Sequence, residues 1–375
     1  MIPINLPKIG EEEVQAVVKV LRSGILTNAL GAGPEVSAFE KKFADFAGAK
    51  HAVAVNTGTA ALHSAVLAVG VKKGDEVILP SFTFVATAEA IVLAGAKPVF
   101  ADIDLKTYNL SPSAVEKAIT KKTKAIMPVD LYGFSADMKP IKEIAAKQGL
   151  ALVEDAAQAH GTTYESKPAG AFADAACWSL YASKNMTTGE GGVVTTNNDQ
   201  IAETLRMIRT HGEKAKYASL MLGTNYRMSE IQAAIGNVQM QKLPTFITKR
   251  RENAQQLTKL LEKNDKLILP FESKETLHSW YLYTARLKNA TEEERNNLVE
   301  ALKKKGIGSE VYYINPVHQM PFYRETLGSA KLPQTEKASK QVFSLPIQPG
   351  VTDEQVHFIG ETVLSLIQLL FQQHP

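Results

Sequence analysis

The stretch C-W-S-L-Y-A-S-K-N-M-T-T-G-E-G-G, residues 177–192, carries the pattern that decides the fold. An apolar run ends shortly before a lysine, and a glycine-rich turn leads into the next apolar run. From about residue 50 the chain repeats one order: a short apolar run, a turn with Gly, Asp or Asn, and a stretch with helical spacing. The apolar runs are His51–Asn56, Glu76–Pro80, Pro98–Asp102, Lys124–Val129, Leu150–Asp155, Ala175–Tyr181 and Gly192–Thr196. Strands that alternate with helices predict an α/β fold with a mostly parallel, seven-stranded sheet flanked by helices.

The sequence changes character after Arg227. Long helical stretches rich in Lys, Glu and Gln follow, with Pro244 near the change. A chain of 375 residues is also longer than one hydrophobic core usually serves. We therefore predict a large domain at 1–242 and a smaller C-terminal α+β domain at 243–375. The apolar tail Thr362–Phe371 is too short to span a bilayer, which takes roughly 20 residues, and is predicted to be a terminal helix that docks on the small domain.

Composition narrows the class of protein. Hydrophobic residues make up 45% and charged residues 22%, as in an ordinary soluble protein, and the formal net charge is only +3. Lys and Arg are interspersed with Asp and Glu, so a nucleic-acid partner is not expected. A single cysteine, Cys177, excludes an internal disulfide and any cysteine-ligated iron–sulfur or zinc site, and we expect no metal. The opening M-I-P-I-N-L-P-K-I-G does not resemble a secretory signal, so we expect a cytoplasmic protein.

Residues that follow the predicted strands are the candidate site. Ligands bind in open α/β sheets at the carboxyl ends of the strands. The segments placed there are Thr57–Thr59, Ser81–Phe84, Asp155–Gln158 and Ser183–Lys184. We predict that they line one crevice.

Two charged residues in this set suggest a reaction type. Lys184 leaves the end of a buried strand, where a partly desolvated amine is suited to form a Schiff base with an aldehyde. Asp155 ends the strand of L-V-E-D-A-A-Q-A-H-G, and a buried carboxylate needs a positive partner such as a protonated pyridine nitrogen. Taken alone, Lys184 could equally be a surface lysine in a loop. Asp155, taken alone, could form a structural ion pair or an N-cap of the following helix.

Three further motifs would suit a phosphate and a flat ring. In N-T-G-T-A-A-L-H, Gly58 and Thr59 open a helix whose N–H groups attract an anion. In P-S-F-T-F-V-A-T, Phe84 could lie against a planar ring, and Ser179 could add a phosphate contact. The alternatives are an ordinary helix cap, a core aromatic residue and a serine bonded to backbone.

Taken together, these motifs resemble the DegT/DnrJ/EryC1/StrS family of sugar aminotransferases, within the fold-type I enzymes that depend on pyridoxal phosphate. The resemblance covers nearly the whole chain. It rests on G-P-E-V-S-A-F-E-K-K-F-A, G-D-E-V-I-L-P-S-F-T-F-V-A-T, G-A-K-P-V-F-A-D-I-D, E-D-A-A-Q-A-H-G, S-K-N-M-T-T-G-E-G-G and N-Y-R-M-S-E-I-Q-A-A-I-G, which occur in this order.

The resemblance implies a role for each candidate residue. Lys184 corresponds to the catalytic Schiff-base lysine and Asp155 to the catalytic partner of the pyridine nitrogen. Gln158 lies near the phenolic oxygen of the ring, and Phe84 stacks on the ring. The residues implied to hold the cofactor phosphate are Gly58, Thr59, Ser179 and Asn225, the last reaching the phosphate of the neighbouring subunit. An obligate homodimer with two shared sites follows from that last position.

The implied reaction moves an amino group, with L-glutamate as the donor, to a 3-keto or 4-keto sugar linked to a nucleotide, and pyridoxamine phosphate is the intermediate form of the cofactor. Lysine at position 184 is unlike the family branch that removes a hydroxyl, which has histidine there. Two other readings stay open. One is another pyridoxal-phosphate reaction, such as that of a lyase or aldolase, and the other is a non-catalytic regulator, for which no helix-turn-helix with a basic recognition helix is seen.

The sequence departs from the family pattern at two places, and the second of them predicts an unusual acceptor. Thr57 stands where the family commonly has serine, and the segment S-G-I-L-T-N-A-L-G-A-G-P, residues 23–34, is longer than usual. Family members place that segment and the region of V-Y-Y-I-N-P-V-H near the sugar, although a packed strand and turn is an equal alternative for the latter. The candidate substrate contacts are Thr27, Arg227, Tyr313 and His318.

Overall fold

The computed structural model describes residues 1–372. Its α-helices are α1 Glu11–Ser23, α2 Pro34–Ala47, α3 Gly58–Ala68, α4 Ala86–Leu93, α5 Pro112–Ala118, α6 Met138–Gln148, α7 Asp199–Arg209, α8 Glu230–Leu261, α9 Glu292–Lys304, α10 Pro321–Leu327, α11 Pro333–Gln341 and α12 Asp353–Gln372. Its strands are β1 His51–Val55, β2 Glu76–Pro80, β3 Lys97–Ala101, β4 Thr123–Ile126, β5 Ala151–Asp155, β6 Thr163–Tyr164, β7 Lys167–Pro168, β8 Ala175–Ser179, β9 Gly192–Thr196, β10 Glu213–Ala215, β11 Ala218–Ser219, β12 Leu267–Ile268, β13 Thr276–Leu277, β14 Tyr283–Leu287 and β15 Val342–Leu345. Short 3-10 helices lie at Leu131–Gly133 and Val317–Gln319.

The central sheet has seven strands in the order β1-β9-β8-β5-β4-β2-β3, as predicted. All neighbouring pairs from β8 to β3 are parallel, whereas β9 runs antiparallel to both β1 and β8. The glycine-rich turn of residues 189–192 sends the chain straight back from β8 into β9, which explains the reversed strand. The predicted apolar runs match the strands to within one residue at their starts and three at their ends.

Helices cover both faces of this sheet, and the alternation of side chains along the strands shows why. On β1 and β9, Val53, Val55 and Val194 enter a core cluster with α3 and α4. Their neighbours Ala54 and Val193 point to the other face and pack with α2 and α8. A strand that is apolar on both faces is typical of a parallel sheet that is buried on both sides.

The C-terminal region has its own core. Strands β12, β14 and β15 form a three-stranded antiparallel sheet, and its apolar residues cluster with the C-terminal half of α8 and with α9 and α12. The predicted tail helix lies within α12, where Val363 and Ile367 are buried in this cluster. The predicted boundary at 242/243 falls inside α8, which continues through Pro244. Within residues 1–372, no helix combines the length and the apolar character needed to cross a membrane.

Candidate active site

The carboxyl ends of β2, β5 and β8 and the start of α3 bring the predicted residues together. Thr87, in the first turn of α4, which follows β2, donates a hydrogen bond to Asp155 at the end of β5. A methyl group built on Gly58 at the start of α3 would lie 2.9 Å from Cβ of Ser179, at the end of β8. Because β5 and β8 are neighbouring parallel strands, these two contacts lie at the same edge of the sheet and bring together segments that are far apart in the sequence.

Asp155 is the buried acid of the crevice, with only 4% of its surface exposed. Its Oδ2 accepts a hydrogen bond from Thr87 Oγ1 (2.8 Å), and its Oδ1 accepts one from the N–H of Ala157 (3.2 Å). Burial raises the pKa of the Asp155 carboxyl, while the Thr87 hydrogen bond and the charge of Lys184 act in the opposite direction. A positive partner would complete the stabilisation of its ionised form.

Lys184 supplies an amine on the same side. It follows β8 in a turn closed by its own N–H, which donates to the carbonyl of Tyr181 (2.9 Å). Its side chain is half-buried. The ammonium group lies over the ring of Tyr281, 4.6 Å from the ring centre, and the hydroxyl of Tyr281 is 2.9 Å from Ser183 Oγ. Tyr281 therefore contacts both Lys184 and its neighbour, and it orients the lysine.

The start of α3 forms a cradle for an anion. Thr57 is the N-cap, and its Oγ1 accepts the N–H of Ala60 (3.0 Å). The N–H groups of Gly58 and Thr59, the first two helical residues, have no acceptor within the helix. Ser179 lies against Gly58, so close that no larger residue fits without a shift. Backbone donors, a helix dipole and a hydroxyl thus meet at one point.

An aromatic and amide cluster forms another wall. Phe84 is 57% exposed, which is unusual for a phenylalanine and leaves a ring face open. The ring of Tyr313 lies 6.3 Å from it. Gln158 connects this wall to the sheet: its Nε2 donates to the Tyr313 hydroxyl (3.2 Å), and its Oε1 accepts the N–H of Tyr132 (2.7 Å). Burial raises the pKa of the Tyr313 hydroxyl.

Asn225 lies beside the exit of β1, near the cradle of its own chain. Its carbonyl accepts a weak hydrogen bond from Asn56 Nδ2 (3.5 Å), and the next residue but one, Arg227, bridges to Val55. Asn225 is exposed and Arg227 is half-buried. The predicted contact of Asn225 with a neighbouring subunit stays a prediction.

The remaining predicted substrate contacts differ in setting. Thr27 is exposed in the segment 24–33. Glu230 holds this segment on both sides of Thr27: the N–H of Glu230 donates to the carbonyl of Leu26 (3.1 Å), and the Glu230 carboxylate accepts the N–H of Gly33 (3.0 Å). His318 is buried and packed in a turn. Its Nδ1 bonds Ser81 Oγ (2.7 Å), and its Nε2 lies 3.5 Å from the Glu336 carboxylate. The geometry of His318 fits the packed-turn alternative as well as a substrate contact.

Sequence reasoning missed three residues of the site. Thr87 lies three residues after Phe84 in the motif P-S-F-T-F-V-A-T, and this spacing on a helix would have indicated that the two side chains lie on the same side. Tyr281 comes from the C-terminal region and has no sequence signal. His160 is fully buried with both ring nitrogens unpartnered, and burial, together with the charge of Lys184, lowers its pKa to about 3. It is therefore a neutral residue at neutral pH.

The residues present fit pyridoxal phosphate. The cradle at Gly58 suits a phosphate, the open face of Phe84 suits a flat ring, and the incompletely compensated acid Asp155 suits a pyridinium nitrogen. Lys184 supplies the amine. In residues 1–372 no group of three or more His, Cys, Asp or Glu side chains is placed to hold a metal ion.

Curated relatives are similar over almost the full length. The chain is 40% identical over 365 residues to "Pleiotropic regulatory protein" of Geobacillus stearothermophilus, which covers 96% of each chain. It is 39% identical over 383 residues to "Spore coat polysaccharide biosynthesis protein SpsC" of Bacillus subtilis, covering 98% of this chain and 97% of that one.

Solved structures agree in fold. PseC of Helicobacter pylori, an aminotransferase involved in the biosynthesis of pseudoaminic acid, superposes with a TM-score of 0.93 at 31% identity, covering 98% of this chain and 99% of that one. The putative sugar aminotransferase Spr1654 from Streptococcus pneumoniae has a TM-score of 0.94 at 28% identity, covering 99% of each chain. Spr1654 was solved in both a PLP-form and a PMP-form, so the predicted cofactor occurs in both its forms in that neighbour.

The family model described as the DegT/DnrJ/EryC1/StrS aminotransferase family matches residues 7–364. The predicted resemblance, the fold class and the enzyme class are thereby confirmed. On its sequence, its fold and its site, this chain belongs to the DegT/DnrJ/EryC1/StrS aminotransferase family.

Proposed function

We propose that this enzyme is a pyridoxal-phosphate-dependent sugar aminotransferase that moves an amino group from L-glutamate to a keto sugar linked to a nucleotide. The observation that carries the proposal is the buried acid Asp155, held by Thr87, in the same crevice as the half-buried Lys184. The names of the relatives, which include polysaccharide biosynthesis and a putative sugar aminotransferase, support a sugar as the acceptor.

Each residue has a defined task. When bound, pyridoxal phosphate supplies an aldehyde that captures amino groups and a ring that accepts electrons. With the cofactor bound, Asp155 would hold the proton on the ring nitrogen, because its burial favours a hydrogen-bonded, charge-paired state over an isolated carboxylate. Gly58, Thr59 and Ser179 bind the phosphate. With the cofactor bound, Lys184 Nζ would accept a proton from the α-carbon of the amino donor as a general base and would then donate that proton as a general acid.

The acceptor would enter past the exposed side of the crevice. We assign Thr27 and Arg227 to sugar binding because Thr27 lies on an exposed segment and Arg227 lies two residues from Asn225. Tyr313 is also assigned there, since its hydroxyl bonds Gln158 beside the open ring of Phe84. His318 is the fourth candidate, and its partners Ser81 and Glu336 would have to release it.

A homodimer with shared sites is part of the proposal. The segment that precedes Asn225 carries exposed apolar side chains: Tyr217, Leu220 and Leu222 are all more than 65% exposed. Burial of such residues against a second copy would remove apolar surface from water. The cytoplasm remains the proposed location, which fits a single reduced cysteine, Cys177.

The test is an absorption spectrum of the purified protein with pyridoxal phosphate, before and after addition of L-glutamate, for the wild type and for Lys184→Ala. We expect a band at roughly 410–430 nm, typical of the cofactor joined to a lysine, that converts to a band at about 330 nm in the wild type only. A panel of nucleotide-linked keto sugars then identifies the acceptor by recovery of the first band.

The outcomes separate the alternatives. If the cofactor binds but L-glutamate does not convert it, L-glutamate is not the donor; if no other amino acid converts it either, the chain performs another reaction of the lyase or aldolase type. If no cofactor binds, the proposal is wrong, and a regulatory role, as in the name of the Geobacillus stearothermophilus relative, becomes the better reading.

A further inference from the structure

Two buried carboxyls behind Asp155 have no role in the reaction described above. Asp130 follows β4 and Glu154 lies on β5, and both are almost completely inaccessible to solvent. Each uses one oxygen to accept a backbone N–H: Asp130 Oδ1 binds Ala136 (2.8 Å), and Glu154 Oε1 binds Gly170 (2.7 Å). The other oxygens, Asp130 Oδ2 and Glu154 Oε2, have no donor.

The two carboxyls satisfy each other only if a proton lies between them. They are within hydrogen-bonding reach, and two ionised carboxylates cannot bond because neither has a donor. Burial and the neighbouring acid raise the pKa of Asp130 well above its ordinary range, and burial also raises that of Glu154. The negative charge of Asp155, the next residue along β5, also raises the pKa of both carboxyls, and the Cys177 thiol, which interacts with Glu154, brings no positive charge.

The pair is tied directly to the site. The N–H of Asp130 donates to the carbonyl of Asp155 (3.0 Å), and Glu154 is its chain neighbour. Asp130 also fixes the turn that ends at Ala136, and within that turn the N–H of Tyr132 holds the Gln158 side chain. A change in the charge of the pair therefore reaches the residues that would face the ring.

We propose that Asp130 and Glu154 share one proton and act as a singly negative positioning pair behind Asp155, which helps Asp155 keep the ring nitrogen of the cofactor protonated. The proton rests on the contacts of Asp130 and Glu154 alone, whereas the effect on the ring rests on the proposed function. Neither residue touches the substrate.

The first experiment needs no cofactor. The free energy of unfolding is measured in urea at several pH values above about 4, where an unfolded carboxyl is ionised, for the wild type, Asp130→Asn and Glu154→Gln. Each single variant supplies an amide donor to the remaining carboxylate and needs no shared proton. The unfolding equilibrium constant of the wild type should rise tenfold, relative to that of either variant, for each unit by which the pH is raised, as expected when one bound proton is released on unfolding. Parallel curves would overturn the shared proton, and having two variants protects against one that fails to fold.

The second experiment uses the protein with bound pyridoxal phosphate that carries 15N in its ring, and follows the chemical shift of that ring nitrogen against pH. The wild type and both single variants keep one negative charge in the pair, whereas Asp130→Asn/Glu154→Gln has none. The midpoint of the ring-nitrogen titration should be about one pH unit lower in the double variant than in the wild type, because a nearby negative charge favours the protonated form. A midpoint equal to that of the wild type would refute the effect on the ring. If the wild type binds no cofactor, the proposed function fails together with that effect, while the unfolding curves still decide the shared proton.

Discussion

Replacing Thr87 by valine tests whether the hydrogen bond from Thr87 to Asp155 helps the protein to bind its cofactor. Valine has nearly the same shape as threonine, so the change removes one hydroxyl and leaves Asp155 Oδ2 without its 2.8 Å donor. A hydrogen bond to a charged group contributes about 1.5–3 kcal/mol. The free protein can avoid the loss by protonating Asp155, whose pKa burial already raises, but the cofactor complex needs the ionised form. At 1.4 kcal/mol per tenfold change, affinity for the cofactor should fall roughly 10- to 150-fold.

Pyridoxamine phosphate is the right ligand for this assay, because its amine forms no bond with Lys184 and its Kd reports non-covalent binding alone. Fluorescence titration of the wild type, Thr87→Val and Thr83→Val would give the three constants. Thr83 is a matched control: it is buried four residues earlier, just before α4, and its hydroxyl bonds Thr87 (2.9 Å) and not Asp155. A Thr87→Val protein that binds within twofold of the wild type would refute the assigned role of Thr87.

Three other substitutions probe separate parts of the structure. Gly58→Ala places a methyl group 2.9 Å from the Ser179 side chain, so pyridoxamine phosphate affinity should fall at least about tenfold with an unchanged circular dichroism spectrum; unaltered affinity would disprove the cradle. The pKa of His160 is lowered to about 3, so between about pH 6.5 and 3 this residue is protonated in the unfolded chain but not in the folded protein, and the free energy of unfolding falls as the pH falls. In His160→Phe this contribution disappears, and the free energy of unfolding in urea should depend on pH less steeply, by about 1.4 kcal/mol per pH unit. An unchanged slope would contradict the buried neutral state. Glu230→Gln weakens the carboxylate that accepts the N–H groups at the start of α2, so chymotrypsin should cut the segment 24–33 faster than in the wild type, and equal rates would show that Glu230 does not hold it.

Much of the fold was readable from local pattern. Glu76–Pro80 and Gly192–Thr196 form strands with the predicted bounds, because both are apolar runs closed by clear turn residues. The run Lys124–Val129 was predicted too long: β4 ends at Ile126, and beyond it Val129 makes only an isolated bridge to Asp155. Periodicity gives no information on where a strand leaves its ladder, since that depends on the neighbouring strand.

The sequence was enough to predict which residues carry the chemistry of the site, but not which other side chains contact them. Lys184 and Asp155 follow strand ends, a position that the sheet rule identifies. Tyr281, by contrast, reaches Lys184 from almost a hundred residues away, and only tertiary packing brings it there. The same holds for Asp130 and Glu154: each reads as an ordinary acidic residue, and only their burial against each other makes them unusual.

Helix α8 has a consequence for dividing the protein into parts. Its 32 residues extend about 48 Å at 1.5 Å per residue. The first turn carries Glu230, which anchors the segment 24–33, and the last turns bury Leu257 and Leu261 in the C-terminal core. A fragment beginning at residue 243 would start inside this helix, and its N-terminal counterpart would keep only the half of α8 that packs on α1 and α2. The two halves therefore cannot be exchanged between relatives by cutting at 242/243; a chimaera has to keep α8 whole and be joined at one of its ends.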